Sequence, residues 1–195
     1  KLGFFMMSII AIPSIYELKI ILDFWLENVP QYTYEFTMLF LIISLINQLT
    51  AGVSPAIQAV GDIKMFQIII GSVAILYIPL SYILLKLDYK PNSVLLILIF
   101  IEIITGYLKI YFLKIKCDFS VKMYFNDILK KIFFSTFCIV FLLSLNYYFN
   151  NSNYRLFFTF LITLTVYPYM YYSIVLLKNE QSQILNLISS KFKKK

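Results

Sequence analysis

Residues 92–113 read NSVLLILIFIEIITGYLKIYFL. The run is apolar except for one carboxylate, Glu102, and one amine, Lys109. A bilayer-spanning helix needs about 20 mostly apolar residues, because the hydrocarbon layer is about 30 Å thick. This run has that length and composition. In hydrocarbon each backbone polar group must be paired within the segment, which leaves a helix as its structure. Five further blocks share the pattern: Leu2–Leu22, Thr33–Ala59, Met65–Leu85, Ile132–Phe149 and Leu156–Leu177. The expected fold is therefore all-α, a bundle of about six transmembrane helices followed by a basic tail at 178–195.

Composition agrees. Of 195 residues, 61% are hydrophobic and 14% charged, where soluble domains carry about 25% charged residues. Mean hydropathy is +0.81. Pro13, Pro55, Pro79 and Pro168 fall inside apolar blocks. Membrane bundles tolerate such prolines, usually with a kink, because neighbours satisfy the freed carbonyls. An apolar run begins directly after Lys1, without a Met-led or signal-peptide pattern. The chain reads as part of a longer protein, cut at its N-terminus.

Charge predicts orientation. Lys1, the 61–64 turn, Lys109–Lys131 and Lys178–Lys195 carry +1, 0, +4 and +4, or +9 on one side. Asp23–Glu35, Lys86–Lys90 and the turn at Arg155 carry −3, +1 and +1, or −1 on the other. Positive loops stay in the cytoplasm, so both ends of this segment are expected there. Trp25, Tyr32, Tyr34, Tyr82, Tyr89, Tyr147, Tyr148 and Tyr154 mark the outer border, where half-wet aromatic rings are favoured. Phe119–Lys131 and Glu180–Lys195 mix apolar and basic residues and read either as helices on the inner leaflet or as ordinary topology-setting loops. The orientation makes a direct prediction. With Cys117 and Cys138 removed, single cysteines at Lys64, Asp118 and Gln183 resist an impermeant thiol reagent in intact cells. Cysteines at Asn28, Asn92 and Ser152 react. Reversed labelling overturns the orientation.

Several function classes are disfavoured. The chain has no histidine and a single arginine, Arg155. Histidine is the usual general acid/base near neutral pH and a frequent metal ligand. Its absence argues against most hydrolases, acyltransferases and zinc sites. Cys117 and Cys138 read as two free thiols. Neither a phosphate loop nor a dinucleotide fingerprint is present, and no metal-spaced Cys/His cluster. The +7 net charge lies where topology puts it and does not suggest nucleic acid. Asn150-Asn151-Ser152 matches a short glycosylation sequon. No enzyme and no cofactor is expected.

Polar groups inside the blocks are the candidate site. Thr37, Ser44, Asn47, Gln48, Ala51, Ser54, Pro55 and Gln58 recur at helical spacings and share one face. Two readings stand: the wall of a water-filled pathway, or a small-residue helix interface with polar glue. Glu102 has Thr105, Gly106 and Lys109 on its own face. An intramembrane carboxylate is costly, so it should face the protein interior. It either binds a coupling ion, a proton or sodium, or pairs structurally with a basic group. Glu17 and Lys19 point different ways and read as interfacial residues, Lys19 snorkelling to the headgroups.

A family resemblance adds to this. Residues 25–33 read Trp-Leu-Glu-Asn-Val-Pro-Gln-Tyr-Thr, and residues 55–64 read Pro-Ala-Ile-Gln-Ala-Val-Gly-Asp-Ile-Lys. Phe-Gln-Ile-Ile-Ile-Gly, Ile-Pro-Leu-Ser-Tyr and Leu-Lys-Leu-Asp-Tyr follow at 66–71, 78–82 and 85–89. The stretch resembles the C-terminal part of bacterial polysaccharide transporters of the O-antigen flippase type. These belong to the multidrug/oligosaccharidyl-lipid/polysaccharide exporter superfamily. The likeness runs from about Leu18 to Tyr89 and continues by hydropathy to about Lys131.

The resemblance implies two pseudo-symmetric helix bundles working by alternating access, in a bacterial inner membrane. The implied cargo is an oligosaccharide linked through diphosphate to a polyprenol, used in surface polysaccharide or lipopolysaccharide synthesis. No catalytic residue carries over. Lys109 is the clear candidate within the helices for meeting a diphosphate. Asn47, Gln48, Ser54, Gln58 and Lys109 are thus the expected pathway residues, and Glu102 the expected coupling residue. The rival within the superfamily is a multidrug or small-solute antiporter. A membrane-embedded glycosyltransferase, polymerase or ligase is the rival from another class. Such enzymes usually present a large polar loop with acidic, Arg or His residues, whereas here the outer loops are short and the outer side has one Arg and no His. A non-catalytic scaffold would need neither Glu102 nor the Asn-Gln pair at mid-depth.

Overall fold

The computed structural model describes residues 1–61, 63–149 and 154–183, with Tyr148 and Phe149 as backbone only. It is all-helical, about 85% helix, with no strand among the described residues. The helices are α1 (Leu2–Tyr16), α2 (Leu18–Trp25), α3 (Thr33–Thr50), α4 (Val53–Val60), α5 (Lys64–Ile75) and α6 (Tyr77–Lys86). They continue with α7 (Asn92–Cys117), α8 (Val121–Met123), a π-helical turn (Tyr124–Leu129), α9 (Lys130–Phe149) and α10 (Arg155–Ile174).

Four stretches among the described residues are long and apolar enough to cross a membrane: Thr33–Val60, Lys64–Lys86, Asn92–Cys117 and Val121–Tyr147. A fifth results if α1 and α2, bent by 82° at their junction, count as one. Only 6–22% of each of the four is buried within the protein. Apolar helices that leave most of their surface uncovered are compatible with a multi-pass membrane protein, in which lipid covers the rest. α10 is helical and 20 residues long but is not among the four. Tyr167, Pro168, Tyr169, Tyr171 and Tyr172 dilute the hydropathy of its second half.

Three local departures from the expected spans have physical content. The block 2–22 is not a straight helix. It turns at Glu17, whose φ of −104° and ψ of 16° lie outside the helical region. The block 33–59 breaks at Ala51–Gly52. Pro55 has no N–H to offer the Ala51 carbonyl, so the helical ladder lapses one turn before the proline. The block 65–85 breaks likewise at Leu76, one turn before Pro79, where the bonds Leu76 N to Ser72 O and Leu80 N to Leu76 O lengthen to 3.3 Å. Pro13 and Pro168, by contrast, sit inside continuous helices.

The chain divides into two compact units, Lys1–Tyr124 and Phe125–Lys195. In the first, α7 is central: α3, α4, α5 and α6 all pack on it, and α1 packs on α3. A hydrophobic cluster of Val53, Ile57, Phe66, Phe112 and Leu113 joins α4 and α5 to α7, with Ile57 fully buried. Phe66 meets Phe112 edge-on at 5.6 Å.

In the second unit α9 and α10 pair. Thr159, Thr163, Tyr167, Tyr171 and Val175, four residues apart, form the buried face of α10. Ile132, Ser135, Ile139 and Leu143 form that of α9. Asn146 Nδ2 donates to Thr159 Oγ1 at 3.1 Å. The Arg155 guanidinium lies 4.4 Å from the Tyr147 ring centre, a favourable cation–π distance.

Where a span was expected to begin at Ile132, the helix begins at Val121. Ser120 Oγ accepts from Met123 N at 3.3 Å and caps the start. The segment 119–131 is therefore helical lead-in rather than a separate surface helix. The Tyr124 ring turns inward, is buried, and its hydroxyl donates to the Leu49 carbonyl. Asp62, the Asn150–Ser152 sequon and the basic tail from Ile184 lie outside the described residues.

Candidate functional site

The candidate polar groups lie on and beside the packed seam between α3–α4 and α7. Ile43, Thr50, Val53 and Ile57 are the buried residues of α3 and α4. On α7 the buried residues are Ile101, Thr105, Phe112 and Leu113. The helices approach closely at Gly106: a side-chain carbon added there would lie 3.6 Å from Thr50 Cγ2 and 3.9 Å from its hydroxyl. Small residues at such a point let two backbones come together.

Glu102 sits one turn from this contact and is half-buried. The Thr105 hydroxyl donates to the Glu102 backbone carbonyl at 3.0 Å, and the carboxylate oxygen Oε2 stands 3.5 Å from the same hydroxyl. Among the described residues Glu102 makes no ion pair. Lys109, also half-buried, is seven residues on, about 10.5 Å along the axis. That is too far for direct pairing. The two charges share a face, as the spacing predicts, and remain separate.

The polar stripe of α3–α4 divides. Thr37 and Ser44 donate to the carbonyls of Thr33 and Phe40 in their own helix, at 2.8 and 2.9 Å. These hydroxyls are satisfied without a second helix. The amides are not so served. Gln48 is half-buried and turned to α1: its Oε1 lies 2.8 Å from where a Gly3 side chain would begin. Asn47 is exposed, Ser54 half-buried and Gln58 exposed. At 100° per residue the stripe lies beside the buried face of α3–α4 rather than in it. The arrangement leaves an open polar strip between the helix's contact with α7 and its contact with α1.

Two features were not read from sequence. Glu17, expected at the interface, is 1% exposed; its burial follows from the 82° turn, which no Gly or Pro at the pivot announces. The four-residue column on α10 was legible as Thr159-Thr163-Tyr167-Tyr171, but hydropathy hides it because Thr and Tyr score as neither apolar nor charged. Lys19, one turn from Asp23, borders an open cleft of about 330 Å³ with Leu22, Asp23, Val29 and Tyr34. Among the described residues no group of three or more His, Cys, Asp or Glu is placed to hold a metal ion. Comparison with family models, curated proteins and solved structures gives no match.

Proposed function

We propose that the chain is the C-terminal bundle of a lipid-linked oligosaccharide flippase. It moves a polyprenyl-diphosphate-linked oligosaccharide across a bacterial inner membrane during surface polysaccharide synthesis. On this reading α1–α2 and α10 complete six crossings, a second bundle precedes them in the whole protein, and both ends of the segment are cytoplasmic. The observation that carries it is unsatisfied polarity at membrane depth: Asn47 exposed on α3 and Glu102 on α7 without an ion pair among the described residues, with Gln58 exposed near the end of α4. Such groups are costly against lipid and are expected to meet water, cargo or a coupling ion. Lys109, half-buried and unpaired among the described residues, supplies a cation for a diphosphate. The sequence resemblance of Leu18–Tyr89 supports the class of cargo.

The test is deletion in the source organism with assay of lipid-linked sugar on each membrane face: cargo accumulates on the cytoplasmic face. At residue level, Asn47→Leu and Gln48→Leu impair export while folded protein accumulates normally. A packing role instead predicts normal export by whatever folds, at a cost of about 0.6–2 kcal/mol for each lost interhelical hydrogen bond. Normal export by both well-expressed variants removes the pathway.

A further inference from the structure

α2 is eight residues long, LKIILDFW, and leaves α1 at 82°. Its depth can be read from its neighbours. Gly3 of α1 stands beside Gln48 of α3, while Lys19, Leu22 and Asp23 of α2 share a cleft with Tyr34 at the start of α3. α1 and α3 therefore run antiparallel. From Gln48 back to Tyr34 is 14 residues, about 21 Å of helix, and from Gly3 to Glu17 is also 14. α2 thus starts level with the first turn of α3, where Tyr32, Tyr34 and Glu35 mark a membrane border. A helix at 82° to α1, which itself packs antiparallel on the span-length α3, runs along the border at that level.

Its side chains sort accordingly. Leu18 and Leu22, one turn apart, are buried in the protein. Lys19 and Asp23, one turn apart, form a polar edge, and both are exposed. Ile20 and Phe24, also one turn apart, form a third face that the protein leaves uncovered. Phe24 is 93% exposed, and Trp25 at the helix end is 78% exposed. An uncovered apolar face beside a charged edge, about 100° round the helix from it and followed by tryptophan, is the composition of a helix lying in the headgroup region.

We propose that α2 is an in-plane membrane anchor. Lys19 and Asp23 lie among the headgroups, and Ile20, Phe24 and Trp25 enter the upper acyl chains, about 5–10 Å below the boundary. The inference rests on the reading that the unit spans a bilayer, and it fixes the depth and tilt at which α1 and α3 sit.

Trp25 is the chain's single tryptophan, so its fluorescence reports α2 alone. The full chain is reconstituted into phosphatidylcholine vesicles carrying bromine either high on the acyl chains or near their ends. The expected result is a larger loss of emission with the high bromines. Phe24→Asp is expected to remove most of that loss with helix content unchanged by circular dichroism, since Phe24 packs on little within the protein. Equal or stronger quenching by the chain-end bromines overturns the proposal, because α2 then continues into the core. Quenching by neither overturns it as well, because α2 is then covered by protein or by water. A Trp25→Phe, Phe100→Trp chain separates the two levels of failure, since Phe100 lies uncovered near mid-α7. Deep quenching there, with none at Trp25, removes only the anchor. Quenching at neither position removes the membrane reading with it.

Discussion

Glu102→Gln is expected to leave the amount of folded protein intact, abolish transport driven by an ion gradient, and preserve binding of cargo. Ten residues separate Glu102 from Asn92 and twelve from Lys114, which places it some 15–18 Å from either border at about 1.5 Å per residue. A charge there costs roughly 2.5–3.5 kcal/mol against lipid, even on the lenient insertion scale. Among the described residues no ion pair offsets that cost: the carboxylate meets Thr105, a neutral hydroxyl at 3.5 Å. A carboxylate at that depth without a cationic partner is placed to meet a coupling ion or water rather than lipid. Glutamine keeps the shape and the hydrogen bond to Thr105 but cannot exchange a proton. The measurement is gradient-driven uptake in proteoliposomes beside a binding assay on the same preparation. Unchanged transport, or loss of folded protein, assigns Glu102 a structural role instead.

The second large effect concerns folding. Phe66→Ala is expected to destabilise the first unit by about 3–5 kcal/mol, as for a buried aromatic removed from a packed site. Phe66 is 3% exposed and holds α5 to α7 through its edge-on contact with Phe112. Around it lie Ile57, fully buried, and Leu113, with Ile69, Ile70 and Phe119 at the margin. Phe100→Ala, on the uncovered side of α7, is expected to change stability by less than about 0.5 kcal/mol. Unfolding titrations in denaturing detergent, followed by circular dichroism, distinguish the two. Equal midpoints for both variants show that the cluster contributes no more than lipid-facing surface does.

Those contrasts show what the sequence carries. The helical class is legible because hydrocarbon length fixes block length: α7 and the pair α3–α4 follow the apolar runs 92–113 and 33–59 closely. Two of the interruptions were legible too, since Pro55 and Pro79 each remove a donor one turn upstream. The turn at Glu17 was not, because its sequence, Ile-Tyr-Glu-Leu-Lys, has neither proline nor glycine. The early start of the Val121 helix was missed for a related reason. Lys122, Lys130 and Lys131 read as loop charge, whereas a long amine extends from a helix end to the headgroups without ending the helix. At the candidate site, spacing placed Glu102 and Lys109 on one face correctly. It could not tell that Thr37 and Ser44 satisfy themselves while Asn47 stays open, because that depends on side-chain reach.

The break at Ala51–Gly52 divides α3–α4 into two levers of unequal fastening. The longer arm is held by α1, α2 and α7, the shorter chiefly by α7. Between them two residues lack helical bonding, and the proline downstream keeps the ladder from closing. The joint follows directly on Thr50, whose side chain meets Gly106 of α7. The short arm thus follows the position of α7, while the long arm answers to α1 and α2 as well.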